Sequence, residues 1–201
     1  MLAPVFGDSI VPFPDQESDY GKYNFNDPYI CITGSSFLLA KGENRSERIV
    51  NNYAKLCIRL KELGLNLFLV ESCRTDQFLY DVAQRTNIPV IPSKINLIQA
   101  ISILGSADVV VGGRYHPAIM ASLGGTPCVL FDSNSHKTSS LQDLLGYESP
   151  VVYSSELEGK EVDRVLNAVL LVLERKNEMR QRIKKKVKEL ASETKLIYQA
   201  L

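Results

Sequence analysis

The segment Gly112-Gly113-Arg114-Tyr115-His116-Pro117 sets a guanidinium and an imidazole two residues apart, directly after a glycine pair. Two glycines let a backbone turn tightly and come close to a ligand. The planar fork of Arg114 suits a carboxylate or a phosphate. His116 can contact an anion or move a proton near neutral pH. Pro117 is expected as the first residue of a helix, where a missing N–H costs nothing. That helix would aim free N–H groups and a partial positive charge at the same spot. Gly112, Gly113, Arg114 and His116 are therefore candidate ligand-binding residues, and Arg114 and His116 the candidates for chemistry. Taken singly, Arg114 could be no more than a partner for a surface acid, and His116 no more than a helix cap.

A second cluster follows at Asp132-Ser133-Asn134-Ser135-His136-Lys137. Ser133 and Asn134 are turn formers that also offer hydrogen bonds to an oxygen-rich ligand. Lys137 stands near the start of a short helix, where it can face an anion. His136 reads as a solvated loop residue. If the strands before the two clusters are neighbours, both clusters converge on one crevice. No P-loop and no Gly-x-Gly-x-x-Gly after the first strand is present. Metal-ligand spacing and a Gly-x-Ser-x-Gly elbow are absent too. No metal and no cofactor are expected.

The elements that must position these residues alternate. Strands are expected at Tyr29–Thr33, Leu65–Val70, Ile88–Ile91, Ala107–Val111, Pro127–Phe131 and Val151–Tyr153. Helical spacing of apolar residues runs over Ser46–Leu63, over Asp76–Arg85, from an Asn96 N-cap to Leu104, from His116 to Gly124-Gly125, and over Ser139–Leu145. Strands alternating with helices imply crossovers and a parallel sheet. The run Val109-Val110-Val111 fits a strand covered on both faces. Ligands of such sheets bind outside the carboxyl ends of the strands, where both clusters fall. The fold expected is a Rossmann-like α/β sheet with helices on both faces, over residues 29–155. Residues 1–28, rich in Pro, Asp, Asn, Gly and Tyr, read as an irregular lead-in or interdomain linker. Residues 156–201 form a C-terminal helical segment, helical throughout 161–199. Its basic run Arg180–Lys188 reads as a solvated face, with an anionic membrane surface as the alternative.

Composition narrows the classes. Lys+Arg and Asp+Glu are balanced at 23 each, which argues against a general nucleic-acid binder. No apolar run approaches the roughly 20 residues that span a bilayer, and Met1-Leu2-Ala3-Pro4 does not read as a signal peptide. Cys31, Cys57 and Cys128 fall in expected core positions, as thiols of a reducing cytoplasm do. Only Cys73 falls in a loop.

The stretch Ala107-Asp108-Val109-Val110-Val111-Gly112-Gly113-Arg114-Tyr115-His116-Pro117-Ala118-Ile119, then Gly124-Gly125-Thr126-Pro127, then Asp132-Ser133-Asn134 and Lys137, resembles the polysaccharide pyruvyl transferase family. The resemblance is good over about residues 95–146 and looser over 29–94. It implies one half of a two-domain fold of the GT-B type. It also implies transfer of the enolpyruvyl unit of phosphoenolpyruvate onto a sugar of a cell-surface polysaccharide. On that resemblance Arg114 binds the donor's anionic groups, and His116 contacts the phosphate or assists its departure as an acid. Lys137 neutralises donor charge, and Ser133 and Asn134 support. Tyr115 departs from the aliphatic residue common there.

The partners implied are phosphoenolpyruvate and a saccharide acceptor, free or lipid-linked, met in the cytoplasm or at the inner face of the membrane. The chain looks like a C-terminal half, which would pair with an N-terminal half or with itself. Two other readings stay open. One is a GT-B donor domain for a nucleotide-sugar, although Leu123-Gly124-Gly125-Thr126-Pro127 offers no acid for a ribose. The other is a non-catalytic half-domain that binds a partner. Arg114→Ala is expected to abolish donor binding and to leave the fold intact.

Overall fold

A computed structural model describes residues 23–38 and 43–199. Most of the expected lead-in segment, residues 1–22, lies outside them, as do residues 200–201. In chain order the regular elements are β1 (Tyr29–Ser35), α1 (Glu43–Glu62), β2 (Asn66–Val70), α2 (Phe78–Thr86), β3 (Val90–Ile91) and α3 (Leu97–Ser106). They continue as β4 (Val109–Gly113), α4 (Tyr115–Leu123), β5 (Cys128–Phe131), α5 (Lys137–Leu144), β6 (Val152–Tyr153), α6 (Glu161–Glu174) and α7 (Lys176–Gln199).

The six strands pair in the order β3-β2-β1-β4-β5-β6, and every pairing is parallel. Each parallel link needs a crossover, which the alternating helices supply. Alternate side chains of each strand enter opposite layers. Ile30, Ile32, Leu67, Leu69, Val109, Val111, Val129 and Phe131 pack with α1, α2 and α6. Cys31, Phe68, Val70, Val110, Cys128 and Leu130 pack with α3, α4, α5 and α7. This is the Rossmann-like α/β architecture expected from the sequence.

Strand order reverses between β1 and β4. The chain builds β2 and β3 outward from β1 on one side, then returns to lay β4, β5 and β6 on the other. At such a switch point the connections leave in opposite directions and open a crevice at the strand ends. Glycines bring the two central strands unusually close there. A Cβ on Gly112, whose φ is +149°, would lie 2.1 Å from Thr33 Oγ1 and 2.7 Å from the Thr33 carbonyl oxygen. A Cβ on Gly113 would lie 2.4 Å from Ser35 Oγ. No other residue type fits between β1 and β4 at these positions.

Most expected boundaries shift by one to three residues, and two differences from the sequence reading change how side chains are placed. Asp76 does not open α2; it closes a short 3-10 turn, Arg74–Asp76. Its carboxylate is turned inward, where Oδ2 accepts the Ser72 N–H at 3.0 Å. The C-terminal helical segment is also not continuous, because it breaks at Arg175 (φ −102°, ψ 12°). Val162, Val165 and Val169 of α6 bury against one layer and Ile183 and Val187 of α7 against the other. One straight helix could not reach both faces of the sheet.

The residues just before β1 are ordered by aromatic packing. Tyr23, Phe25, Tyr29 and Phe68 cluster with ring centroids 5.0–5.9 Å apart, and the Tyr23 hydroxyl donates to the Val90 carbonyl at 2.8 Å. Among the described residues no helix is long and apolar enough to cross a membrane.

Candidate functional site

The loops after β1, β2, β3, β4 and β5 surround one cavity of about 490 Å³ beside the switch point. Arg114, Tyr115 and His116 line it from the end of β4, and Ser133, Asn134 and Lys137 line it from the end of β5. Glu71, Ser72 and Cys73 come from the end of β2, and Ser93 from the loop after β3. Strands β4 and β5 are direct neighbours, so the two basic clusters do converge. The apolar floor is made by Val70, Leu104 and Met120, among others. Among the described residues no cluster of His, Cys, Asp or Glu could hold a metal ion.

Arg114 is the N-cap of α4 and only 11% of its side chain is exposed. It is not free. Its Nε and Nη2 both donate to Oδ1 of Asp76, at 3.0 and 2.7 Å, and Nη2 also donates to Thr75 Oγ1 at 2.5 Å. Asp76 is fully buried. Burial pushes its carboxyl above the ordinary 3.8. The Arg114 N–H groups and charge, and the backbone N–H groups of Ser72 and Cys73, pull back part of that rise. The Nη1 group of Arg114 takes no hydrogen bond among the described residues.

Arg114→Ala therefore cannot leave the fold untouched, contrary to the sequence expectation. It would strand a buried carboxylate, which typically costs about 3–5 kcal/mol. The tyrosine beneath the site, Tyr53, is wholly buried between Phe78 and Phe131, and its hydroxyl has no partner among the described residues.

Tyr115, His116 and Lys137 form a second group. The Tyr115 ring meets the His116 ring edge-on at 5.8 Å. The Lys137 ammonium sits over the Tyr115 ring, 5.9 Å from its centroid, within the range of a cation–π contact. Lys137 is the first residue of α5 and makes no ion pair among the described residues. Tyr115 thus links the imidazole to the ammonium across the two loops. Pro117 is the third residue of α4, not the first. Its position still costs no bond, because the first turn of a helix has no carbonyl to donate to. It does reduce the free N–H groups of that turn to those of Tyr115 and His116, since Ala118 N already donates to the Arg114 carbonyl at 3.2 Å.

The remaining expected residues divide. Ser133 spends its hydroxyl on the Ser135 carbonyl, 2.7 Å away, the local turn role. The Asn134 N–H donates to Ser36 Oγ at 3.3 Å, tying the β5 loop to the β1 loop. Gly112 and Gly113 are buried within β4 and do not line the cavity. The room left by their missing side chains is filled by β1, not by a ligand. His136 is exposed and lies outside the cavity, as expected. The residues that sequence reading missed are Asp76, Thr75 and Glu71. Glu71 Oε2 accepts from Ser93 N and Ser93 Oγ, each at 3.0 Å, and from the Tyr80 hydroxyl at 3.1 Å. The signal available for them was the position of their loop at a strand's carboxyl end.

Comparison with known proteins adds to this geometry. The sequence matches the family model described as "Polysaccharide pyruvyl transferase" over residues 6–135, well over half of the chain. The chain belongs to the polysaccharide pyruvyl transferase family. The matched span takes in Arg114, His116, Ser133 and Asn134 and stops just short of Lys137. No curated protein sequence matches the chain.

Among solved structures, this pyruvyl transferase family member is similar to the N-terminal domain of Candida albicans trehalose-6-phosphate phosphatase. That match has 12% identity and a TM-score of 0.51, and covers 82% of this chain and 40% of that one. The Thermobaculum terrenum O-GlcNAc transferase matches at 14% identity and TM-score 0.46, over 82% of this chain and 36% of that one. S. aureus TarM, solved with Fondaparinux, alpha-GlcNAc-glycerol and UDP, matches at 14% identity and TM-score 0.46, over 92% and 38%. The chain spans no more than 40% of the length of these proteins.

Proposed function

We propose that the cavity binds phosphoenolpyruvate and that the protein takes part in transferring its pyruvyl unit to a sugar of a cell-surface polysaccharide. The observation that carries this reading is the meeting of Arg114, His116 and Lys137 on one cavity at the sheet's switch point, in a chain of this family. Phosphoenolpyruvate is small and carries a phosphate and a carboxylate. Nη1 of Arg114, which neither Asp76 nor Thr75 engages, can hydrogen-bond either group. Lys137, which makes no ion pair among the described residues, supplies positive charge as a point charge beside the Tyr115 face.

In this reading a sugar hydroxyl adds to C2 of the enol while C3 gains a proton, and phosphate then leaves as a second hydroxyl closes the ketal. His116 is exposed at the cavity, so it can reach the phosphate and protonate it as it departs. Lys137 and the Arg114 edge hold the charge that develops on the leaving phosphate. The cavity is larger than this donor requires and falls in the usual size range of ligand sites, which leaves room for part of the acceptor. We place the reaction in the cytoplasm, with acceptor binding completed by groups beyond this chain.

Thermal unfolding with added ligand tests the reading. A ligand that binds only the folded state raises the midpoint, and the stabilisation grows with the logarithm of its concentration over Kd. Phosphoenolpyruvate is expected to raise the midpoint of the wild type. Lys137→Ala, which removes an exposed side chain, should erase that rise and leave the unliganded midpoint unchanged. A rise with UDP or a UDP-sugar and none with phosphoenolpyruvate would replace this reading by that of a nucleotide-sugar donor domain.

A further inference from the structure

We propose that Asp76 is the positioning residue of the anion site. It fixes the Arg114 fork so that a single edge, Nη1, is left for the ligand, and Gly34 permits this by lacking a side chain. The proposal rests on the reading of the cavity as the phosphoenolpyruvate site.

A guanidinium has five N–H donors in a rigid fork. Two of those in Arg114 go to Asp76 Oδ1 and one to Thr75 Oγ1. The two on Nη1 remain. A long arginine side chain at a strand end normally samples many rotamers, and a ligand that orders it pays that entropy at binding. Here the ordering is completed during folding. Asp76 is itself held from three directions. Its Oδ2 accepts the Ser72 N–H, its own N–H donates to the Cys73 carbonyl at 2.9 Å, and it is fully buried.

The carboxylate is chemically specific. Both of its oxygens act as acceptors, Oδ1 for Arg114 and Oδ2 for Ser72 N–H. An amide accepts on only one side, so Asn in its place would set an NH₂ against one of these donors. The space is equally specific. A Cβ on Gly34 would lie 2.0 Å from Asp76 Oδ1 and 2.9 Å from its Cγ. The carboxylate occupies the room that any other residue at position 34 would fill.

The pair also sets the direction of the expected effect. Asp76 puts a negative charge next to an anion site. By charge alone, removing it should tighten anion binding. By positioning, removing it should weaken binding, because Arg114 then loses its fixed geometry. The two readings differ in sign.

The test is calorimetric titration of the intact chain with phosphoenolpyruvate and, separately, with inorganic phosphate. It compares the wild type with Asp76→Asn, Gly34→Ala and Thr75→Val. Thr75 is exposed, so Thr75→Val remains a usable variant if either buried substitution fails to fold. Phosphoenolpyruvate is expected to bind about fivefold to tenfold more weakly to Asp76→Asn and Gly34→Ala, the scale of freeing one rotamer-rich side chain. Thr75→Val should bind it about twofold to threefold more weakly, as one of three fixing bonds is lost.

In ¹⁵N spectra the Arg114 Nε–H resonance should move in Asp76→Asn and Gly34→Ala, which verifies that the bond to Asp76 is lost in the folded variants; the affinity for phosphoenolpyruvate then separates positioning from stability. Unchanged or tighter binding in the folded variants, with only a lowered midpoint, overturns the positioning role and leaves the donor reading standing. A wild type that binds neither phosphoenolpyruvate nor phosphate overturns both.

Discussion

Removing the Arg114 side chain leaves the Asp76 carboxylate buried with no cation, so this residue matters to stability as well as to binding. Arg114→Ala is expected to lose about 3–5 kcal/mol of unfolding free energy, measured by chemical denaturation at pH 7. The loss should depend on pH with a definite sign. Asp76 titrates above its ordinary 3.8 in the folded state. In the window from 3.8 up to that folded value the native protein binds more protons than the unfolded chain, and stability falls as pH rises. Without Arg114 the window widens upward, so the deficit of Arg114→Ala should shrink between pH 7 and pH 4. A deficit that stays constant over that range would show that the carboxylate is not stranded.

The thiols give a second check at the same scale. Burial pushes Cys57 and Cys128 up to about 12 and Cys31 further up, and all three are buried. Alkylation of the folded protein at pH 8 is expected to modify Cys73 alone, read by peptide mass mapping. The sequence already separated these four residues correctly, because strand and helix periodicity marks the buried three. It could also single out Arg114 and His116 from their place after an apolar strand. It could not reveal Asp76, which stands 38 residues from Arg114 inside a segment with a helical pattern. Long-range pairing leaves no periodicity, and only the fold brings the two together.

The elements carry the site through close packing at the strand ends and through one clamp at the opposite ends. Arg180 of α7 donates from Nη1 to the carbonyls of Gly105 and Gly124, at 2.9 and 2.8 Å, and from Nη2 to that of Ala107 at 2.5 Å. It ties the ends of α3 and α4 to the start of β4. Arg180→Ala would leave three carbonyls short of a charged donor, and we expect it to cost about 2–4 kcal/mol of unfolding free energy. Denaturation curves that overlay the wild type would remove the clamp.

Most elements were legible in advance. The Asn96 cap forms a full capping box with Gln99, as a short polar side chain before an apolar helix predicts. The basic run of α7 disguised Arg180 as one more solvated charge. The break at Arg175 went unread because the sequence on both sides of it is helical in pattern, and only the fold shows that the apolar residues before and after it face different layers of the sheet. The glycine pair was recognised, but its task was misassigned. Gly112 and Gly113 admit β1, and the ligand meets the residues that follow them.

At the scale of the whole molecule the strand order sets where a ligand can sit. The β1–β4 switch point opens a crevice. The basic clusters at the ends of β4 and β5 then face it together, because those strands are neighbours. The neutral total charge hides this local arrangement, in which the Arg114 charge is matched by Asp76 while Lys137 has no ion-pair partner among the described residues. The measurement that tests the central claim most directly is a structure of the chain with phosphoenolpyruvate bound. The expected result places the ligand in the cavity at the β4 and β5 ends, with its phosphate or carboxylate within hydrogen-bond distance of Arg114 Nη1 and its other oxygens facing His116 and Lys137. Phosphoenolpyruvate bound elsewhere, or in that cavity without contact to Arg114 and Lys137, would contradict it.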